Sequence, residues 1–191
     1  MEFEDILYTK NQGVATITLN RPPMNAFSHR MEQQWAAAIE DAKHDSEVKV
    51  VVITGSGRTF CGGANPRVLD AKEGHDDQPA GSGFPIYDIS RSFTKALVDL
   101  DKPYIGAING AAVGGGMDMA SACDIRIASE KARFSMAYVR MGVTPALGGA
   151  YFLPRIVGIA RACELIWTGR NLDAREALAI GYVSKVVPPD E

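Results

Sequence analysis

Residues 48–55, VKVVVITG, form a nearly continuous β-branched run. A strand with one wet face alternates apolar and polar side chains, so an unbroken run predicts a strand covered on both faces, as in a sheet layered with helices. The first twenty residues do alternate, with ILYTK and VATITLN set either side of Asn11-Gln12-Gly13, and predict a β-hairpin. The two prolines of NRPPMNAF then end the strand. From Ser28 the period changes: Met31, Trp35, Ala38 and Ile39 share one helical face, Ser28 can cap it, and the helix is expected to run to about His44. Hairpin, helix, buried strand is the start of an α/β fold.

The pattern continues with YIGAI and CDIRIAS as further buried strands. Between VKVVVITG and YIGAI, residues 75–85 are polar and rich in glycine and proline, which predicts a loop. Ile86, Ile89, Phe93, Ala96, Leu97 and Leu100 then recur at helical spacing, and that helix should stop before Pro103. GGAYFLPRIVG, ARACELIWTG and DAREALAIG predict short helices, and YVSKVV a final strand. No repeat, linker or composition shift divides the chain, so residues 1–191 are expected to be one domain.

A formal charge of −3, with scattered lysines and arginines, provides no basic field for a nucleic-acid backbone. The opening residues are acidic where a secretory leader is basic, and no stretch approaches the roughly 18 apolar residues of a membrane span, so no membrane partner is expected and the location is read as cytoplasmic. Cys61, Cys123 and Cys163 lie far apart, and His29, His44 and His75 sit on separate segments, spacings that suit neither a disulfide framework nor a metal site.

The chemistry-bearing stretch is INGAAVGGGMDMASACD, residues 108–124, in which three glycines follow a strand and open a helix. Free backbone N–H groups at such a turn point at one spot and attract negative charge. Two nucleotide motifs can be set aside. Gly110 to Gly115 has the glycine spacing of a P-loop, but Gly116 and Met117 occupy the places of its lysine and hydroxyl residue. GSGRTF begins like a dinucleotide fingerprint and ends on Phe60 where a third glycine is needed.

LNRPPMNAF, GRTFCGGAN, INGAAVGGGMDMASACDIRIASEKARF and MGVTPALGGAYFLPRIVG, in that order, resemble the conserved blocks of the enoyl-CoA hydratase/isomerase (crotonase) superfamily. The resemblance implies an α/β fold of the ClpP/crotonase kind, a spiral of β-β-α units, with the family's C-terminal helical segment truncated or absent after VVPPDE. It implies an acyl-CoA thioester as substrate, no cofactor beyond the coenzyme A it carries, no metal, and a homotrimer or hexamer. By the same resemblance, the N–H groups of Ala64 and Gly115 form an oxyanion hole for the thioester carbonyl. The segment Asn25, Ala26 and Phe27 resembles the part of the family that contacts coenzyme A through backbone groups, and Arg67 falls where the family often has a cation near the coenzyme A phosphates.

Asp118 corresponds to one of the two catalytic glutamates of the hydratases and lies one helical turn beyond Gly115. The place of the second is taken by Tyr138, and an acid position used by some isomerases and dehalogenases falls on Ala146. A phenol with an ordinary pKa near 10 cannot replace a carboxylate as base at neutral pH, so Tyr138 either orients water or donates a hydrogen bond, or it only packs the pocket wall. His75 and Asp76, in the loop, are further candidates for the acyl pocket. Hydration or double-bond isomerisation is the leading reaction; decarboxylation or thioester hydrolysis, and a non-catalytic acyl-CoA-binding role, are the alternatives.

Overall fold

The computed structural model describes residues 3–64 and 95–189. The hairpin forms as expected from β1 (Ile6–Asn11) and β2 (Val14–Leu19), paired antiparallel from Ile6↔Leu19 to Asn11↔Val14. Its two-residue loop needs positive φ at both positions, and Gln12 and Gly13 adopt +48° and +81°. Ala15, Ile17 and Leu19 alternate into the core, where they meet helix α1 (His29–His44). The Ser28 hydroxyl caps α1 by accepting from the Met31 N–H at 2.9 Å. Met31, Trp35, Ala38, Ile39 and Ala42 are all buried along one face. The Trp35 indole donates to the Tyr104 hydroxyl, so even the polar atoms at this contact are matched.

Strands β3 (Val50–Gly55), β5 (Tyr104–Ile108), β7 (Ile125–Ser129) and β10 (Lys185–Val187) complete a six-stranded sheet in the order β1-β2-β3-β5-β7-β10. Every pairing in it after the hairpin is parallel. A second sheet, β4-β6-β8-β9, is built from short strands: β4 (Thr59–Cys61), β6 (Ala111–Val113), β8 (Arg133–Ser135) and β9 (Leu172–Asp173). The chain passes directly from β3 to β4, from β5 to β6 and from β7 to β8, and β6 leads into α2 (Gly115–Ser121). This is the expected β-β-α unit.

One local expectation needs correction. YIGAI does not feed the glycines directly, because Asn109-Gly110 turns the chain into β6 first. Three residues are too few to show a period, so the second sheet has almost no signature in the sequence. The C-terminal helices are α3 (Gly149–Val157), α4 (Ile159–Thr168) and α5 (Ala174–Ala179), as the apolar spacing predicts. Of the helix expected before Pro103, residues 95–98 are described and are helical; the polar loop at 75–85 lies outside the described residues. Among the described residues no helix is long and apolar enough to cross a membrane.

Candidate active site

Two bends meet at the site. The first follows β4 through Gly62 and Gly63 to Ala64. It is held against the NRPPMNAF segment: Gly62 N–H donates to the Met24 carbonyl at 2.8 Å, Phe27 N–H donates to the Gly63 carbonyl at 2.9 Å, and Phe27 and Ala64 form a parallel bridge. Asn25 braces both segments from the inside. Its side-chain Nδ2 donates to the Thr59 carbonyl at 2.7 Å and the Ser56 carbonyl at 3.0 Å, while its Oδ1 accepts the Arg21 N–H at 3.0 Å.

The second bend is Gly114-Gly115-Gly116, where β6 becomes α2. Gly114 has φ +53°, and its N–H donates to the Ser135 carbonyl at 2.8 Å. Glycine is required because the bends lie backbone against backbone. A Cβ on Gly116 would stand 2.0 Å from the Cys61 carbonyl oxygen, and one on Gly63 would stand 2.5 Å from the Val113 carbonyl and 3.3 Å from the Gly115 nitrogen. Among the described residues neither the Ala64 nor the Gly115 N–H has a hydrogen-bond partner. The first-turn amides of a helix have no carbonyl to reach, which explains Gly115.

Asp118 lies one turn along α2 and is fully buried. Its Oδ2 accepts the Tyr138 hydroxyl at 2.7 Å and the Leu147 N–H at 3.0 Å. Its Oδ1 is buried and makes no well-formed hydrogen bond among the described residues, although the Gly149 N–H lies close enough to the carboxyl to stabilise its charge. Gly149, the first residue of α3, is pressed against this oxygen, and a Cβ there would sit 1.9 Å away. Burial pushes the Asp118 pKa up to about 6, and the Tyr138, Leu147 and Gly149 donors hold it from going higher. Tyr138, on the 3₁₀ turn Ala137–Met141, is 7% exposed, and burial beside a carboxyl raises its pKa well above the usual phenol range.

Asp118 and Tyr138 are thus in direct contact, and the two glycine bends are adjacent. Of the coenzyme A candidates, Ala26 lines a cleft of about 300 Å³ together with Arg21, Pro22, Pro23, Met24, Gly62 and Ala64. Asn25 and Phe27 do not line it. The Asn25 amide is consumed by the bracing bonds, and the Phe27 ring packs over Gly115, where an added Cβ would be 2.7 Å from its edge. Arg67, His75 and Asp76 lie outside the described residues. Ala146 presents no acid, and its backbone N–H faces the Tyr138 oxygen. Leu147 and Gly149 were missed as site residues because they act through main-chain atoms. Their one sequence signal is the Gly148-Gly149 pair ahead of the apolar run of α3. Among the described residues no group of histidine, cysteine or acidic side chains could hold a metal.

A model of the enoyl-CoA hydratase/isomerase family matches residues 9–191. The chain is 40% identical to the short-chain-enoyl-CoA hydratase of Clostridium acetobutylicum, with 100% of this chain and 72% of that protein covered. It is 36% identical, with the same coverage, to the trans-2-decenoyl-acyl-carrier-protein isomerase of Streptococcus mutans. Among solved structures, an enoyl-CoA hydratase subunit from Geobacillus kaustophilus aligns with a TM-score of 0.88 at 34% identity, covering 100% of this chain and 71% of that one. DspI of Pseudomonas aeruginosa aligns with a TM-score of 0.86 at 32% identity, covering 97% of this chain and 69% of that one. Sequence, topology and the paired glycine bends agree, and the chain belongs to the enoyl-CoA hydratase/isomerase family.

Proposed function

We propose that the chain is an enzyme that binds an acyl-CoA thioester through its carbonyl oxygen and stabilises the enolate formed when a proton leaves the neighbouring carbon. The observation that carries this reading is the pair of amides, Ala64 and Gly115, that have no partner among the described residues, on two bends locked together by glycine-only contacts. Such donors are already oriented before charge develops, so they do not reorganise during reaction. Loss of one typically costs about 3 to 4 kcal/mol of transition-state stabilisation. Asp118 is the group that moves the proton. Its pKa of about 6 keeps it largely ionised at neutral pH, yet basic enough to take a proton from an activated carbon. The Ala26 and Met24 side of the cleft receives the pantetheine arm, and Arg67 is assigned to the coenzyme A phosphates.

No further cofactor is needed, because enolate chemistry transfers no electrons. Tyr151, Ile159 and Trp167 expose 57%, 74% and 72% of their surface on α3 and α4, an apolar face suited to assembly into trimers or hexamers. The test is to incubate the protein with crotonyl-CoA, trans-3-hexenoyl-CoA and malonyl-CoA and follow the products by mass. Turnover of an enoyl-CoA, together with a fall of about 10²-fold or more in kcat for Ala64→Pro, which removes one N–H, is expected. Malonyl-CoA decarboxylation without enoyl turnover, or binding of all three with no change in any, overturns the reading.

A further inference from the structure

We propose that Asp5 is a positioning residue for the carrier arm of the thioester, holding the Arg21 guanidinium and, through it, the Ala26 carbonyl in the shape the arm fits; the inference rests on the thioester reading above. The hairpin register explains how a residue so early in the chain reaches the cleft. Ile6 pairs with Leu19, so Asp5 falls opposite Asn20, and the Asn20 N–H donates to the Asp5 carbonyl at 2.8 Å. The next residue, Arg21, opens the segment that rims the cleft. Its Nε lies 3.3 Å from Asp5 Oδ2, and its Nη1 donates to the Ala26 carbonyl at 2.8 Å. One guanidinium therefore bridges a buried carboxylate and the main chain of the cleft wall, and both Arg21 and Ala26 line that wall.

Asp5 is 3% exposed, and a carboxylate that deep needs charged or hydrogen-bonding partners. It has them on both oxygens: the Ser28 hydroxyl donates to Oδ2 at 2.6 Å, and Arg30 Nη2 donates to Oδ1 at 2.8 Å. Burial pushes its pKa up, but the Arg30 and Ser28 bonds and the Arg21 charge outweigh burial and hold the carboxyl below the usual carboxylate range. Ser28 also caps α1, so Oδ2 ties the start of that helix to the cleft wall. An arginine side chain is rich in rotamers, so fixing its guanidinium against the Ala26 carbonyl needs an anchor, and Asp5 supplies a charged one. The effect belongs to binding. The Gly62 and Gly63 bonds that hold the first bend, and the Tyr138 and Leu147 bonds that hold Asp118, do not involve Arg21. A relaxed wall thus loosens the grip on the arm and leaves the reacting end in place.

The experiment compares Asp5→Ala, Arg21→Met, the double variant and Arg30→Met in the intact chain. Calorimetry gives Kd for butyryl-CoA and for butyryl-pantetheine, the second of which carries the arm without the phosphates. The rate constant kcat is measured on whichever of crotonyl-CoA and trans-3-hexenoyl-CoA the parent converts. Expected are a rise of about 10-fold in both Kd values for Asp5→Ala and for Arg21→Met, no further rise in the double variant, and a change in kcat below about 3-fold. Arg30→Met also takes a charge from Asp5, but Arg30 is not among the described residues that line the cleft, so this variant should lose stability in urea and keep both Kd values. Asp5→Asn, made in parallel because it keeps the side-chain volume, should show the same split at about 3-fold or more. Equal losses of affinity in Arg30→Met overturn the inference, because affinity would then follow stability alone. Additive effects in the double variant overturn it too, since Asp5 would not act through Arg21. So does tighter butyryl-CoA with unchanged butyryl-pantetheine in Asp5→Ala, which would mean that only the phosphates sense the charge. If the parent binds neither thioester, the thioester reading falls and this inference with it.

Discussion

The Tyr138 hydroxyl donates to Asp118 Oδ2 across 2.7 Å, and the Leu147 N–H meets the same oxygen at 3.0 Å. Two donors on one oxygen hold the carboxyl in a single rotamer and leave Oδ1 buried without a well-formed hydrogen bond among the described residues. A carboxyl that is both buried and partly satisfied has a tuned basicity, because desolvation and hydrogen bonding act in opposite directions.

The pH profile should report that balance. Asp118 works as a base when ionised, so kcat/KM is expected to rise with pH through about 6 and then level off. Among the described residues, the other titratable groups placed around Asp118 are Cys61, Tyr138 and Tyr182, all pushed up by burial, so none of these three supplies a second limb near neutrality. Tyr138→Phe deletes a bond that lowers the Asp118 pKa, and the limb should move to higher pH. A profile flat from about pH 5 to 8 would remove Asp118 as the base.

The same group sets a stability cost. Its folded pKa of about 6 exceeds the unfolded value of 3.8, so folding favours the protonated form. The contribution is fully present below the unfolded pKa and is lost as pH rises through the folded one. At pH 7 the ionised carboxyl therefore costs on the order of 3 kcal/mol. Urea unfolding of Asp118→Asn should show a variant more stable than the parent at pH 7 by up to that amount, with the difference shrinking toward pH 4. Activity should fall in the same variant.

Gly149→Ala tests the placement of the Asp118 carboxyl without touching a titratable group. The new Cβ would stand 1.9 Å from Asp118 Oδ1, so the carboxyl must rotate away or the start of α3 must shift. Displacement of a catalytic group by about 1 Å commonly costs 10²-fold in rate, and a loss of that order in kcat is expected with KM for the thioester little changed. Steady-state kinetics separates the two constants. A matching rise in KM would place the damage in the binding cleft instead.

Asn25→Ala removes the brace behind the first bend. It removes a donor from the buried Thr59 carbonyl and the part-buried Ser56 carbonyl and an acceptor from the part-buried Arg21 N–H, and it places alanine at φ +47°. Unsatisfied buried groups cost about 1 to 3 kcal/mol each and the left-handed backbone about 1 more, so a loss of roughly 3 kcal/mol or more should appear in chemical denaturation. Asn25→Gly should recover only the backbone part. If Asn25→Ala unfolds like the parent, the brace contributes nothing and the bend is held elsewhere.

The sequence by itself determined the long elements and the chemical theme. The unbroken VKVVVITG run, the apolar face from Met31 to Ile39 and the hairpin at Gln12-Gly13 each encode their structure within a few neighbouring residues, because period and turn conformation are local properties. The glycine triplet and Asp118 were legible for the same reason. Only the tertiary structure decided what the site residues do. The Asn25 side chain is committed as a brace and the Phe27 ring is packed over Gly115, since a side chain's free valences depend on partners distant in the chain. That Tyr138 would be bonded to Asp118, that Leu147 and Gly149 would reach the same carboxyl, and that the Ala64 N–H would have no partner among the described residues all follow from the way β4, α2 and α3 pack together. Main-chain donors and pairings across 20 or more residues leave no imprint on local spacing, so the surroundings of the Asp118 carboxyl became identifiable only once the fold was assembled.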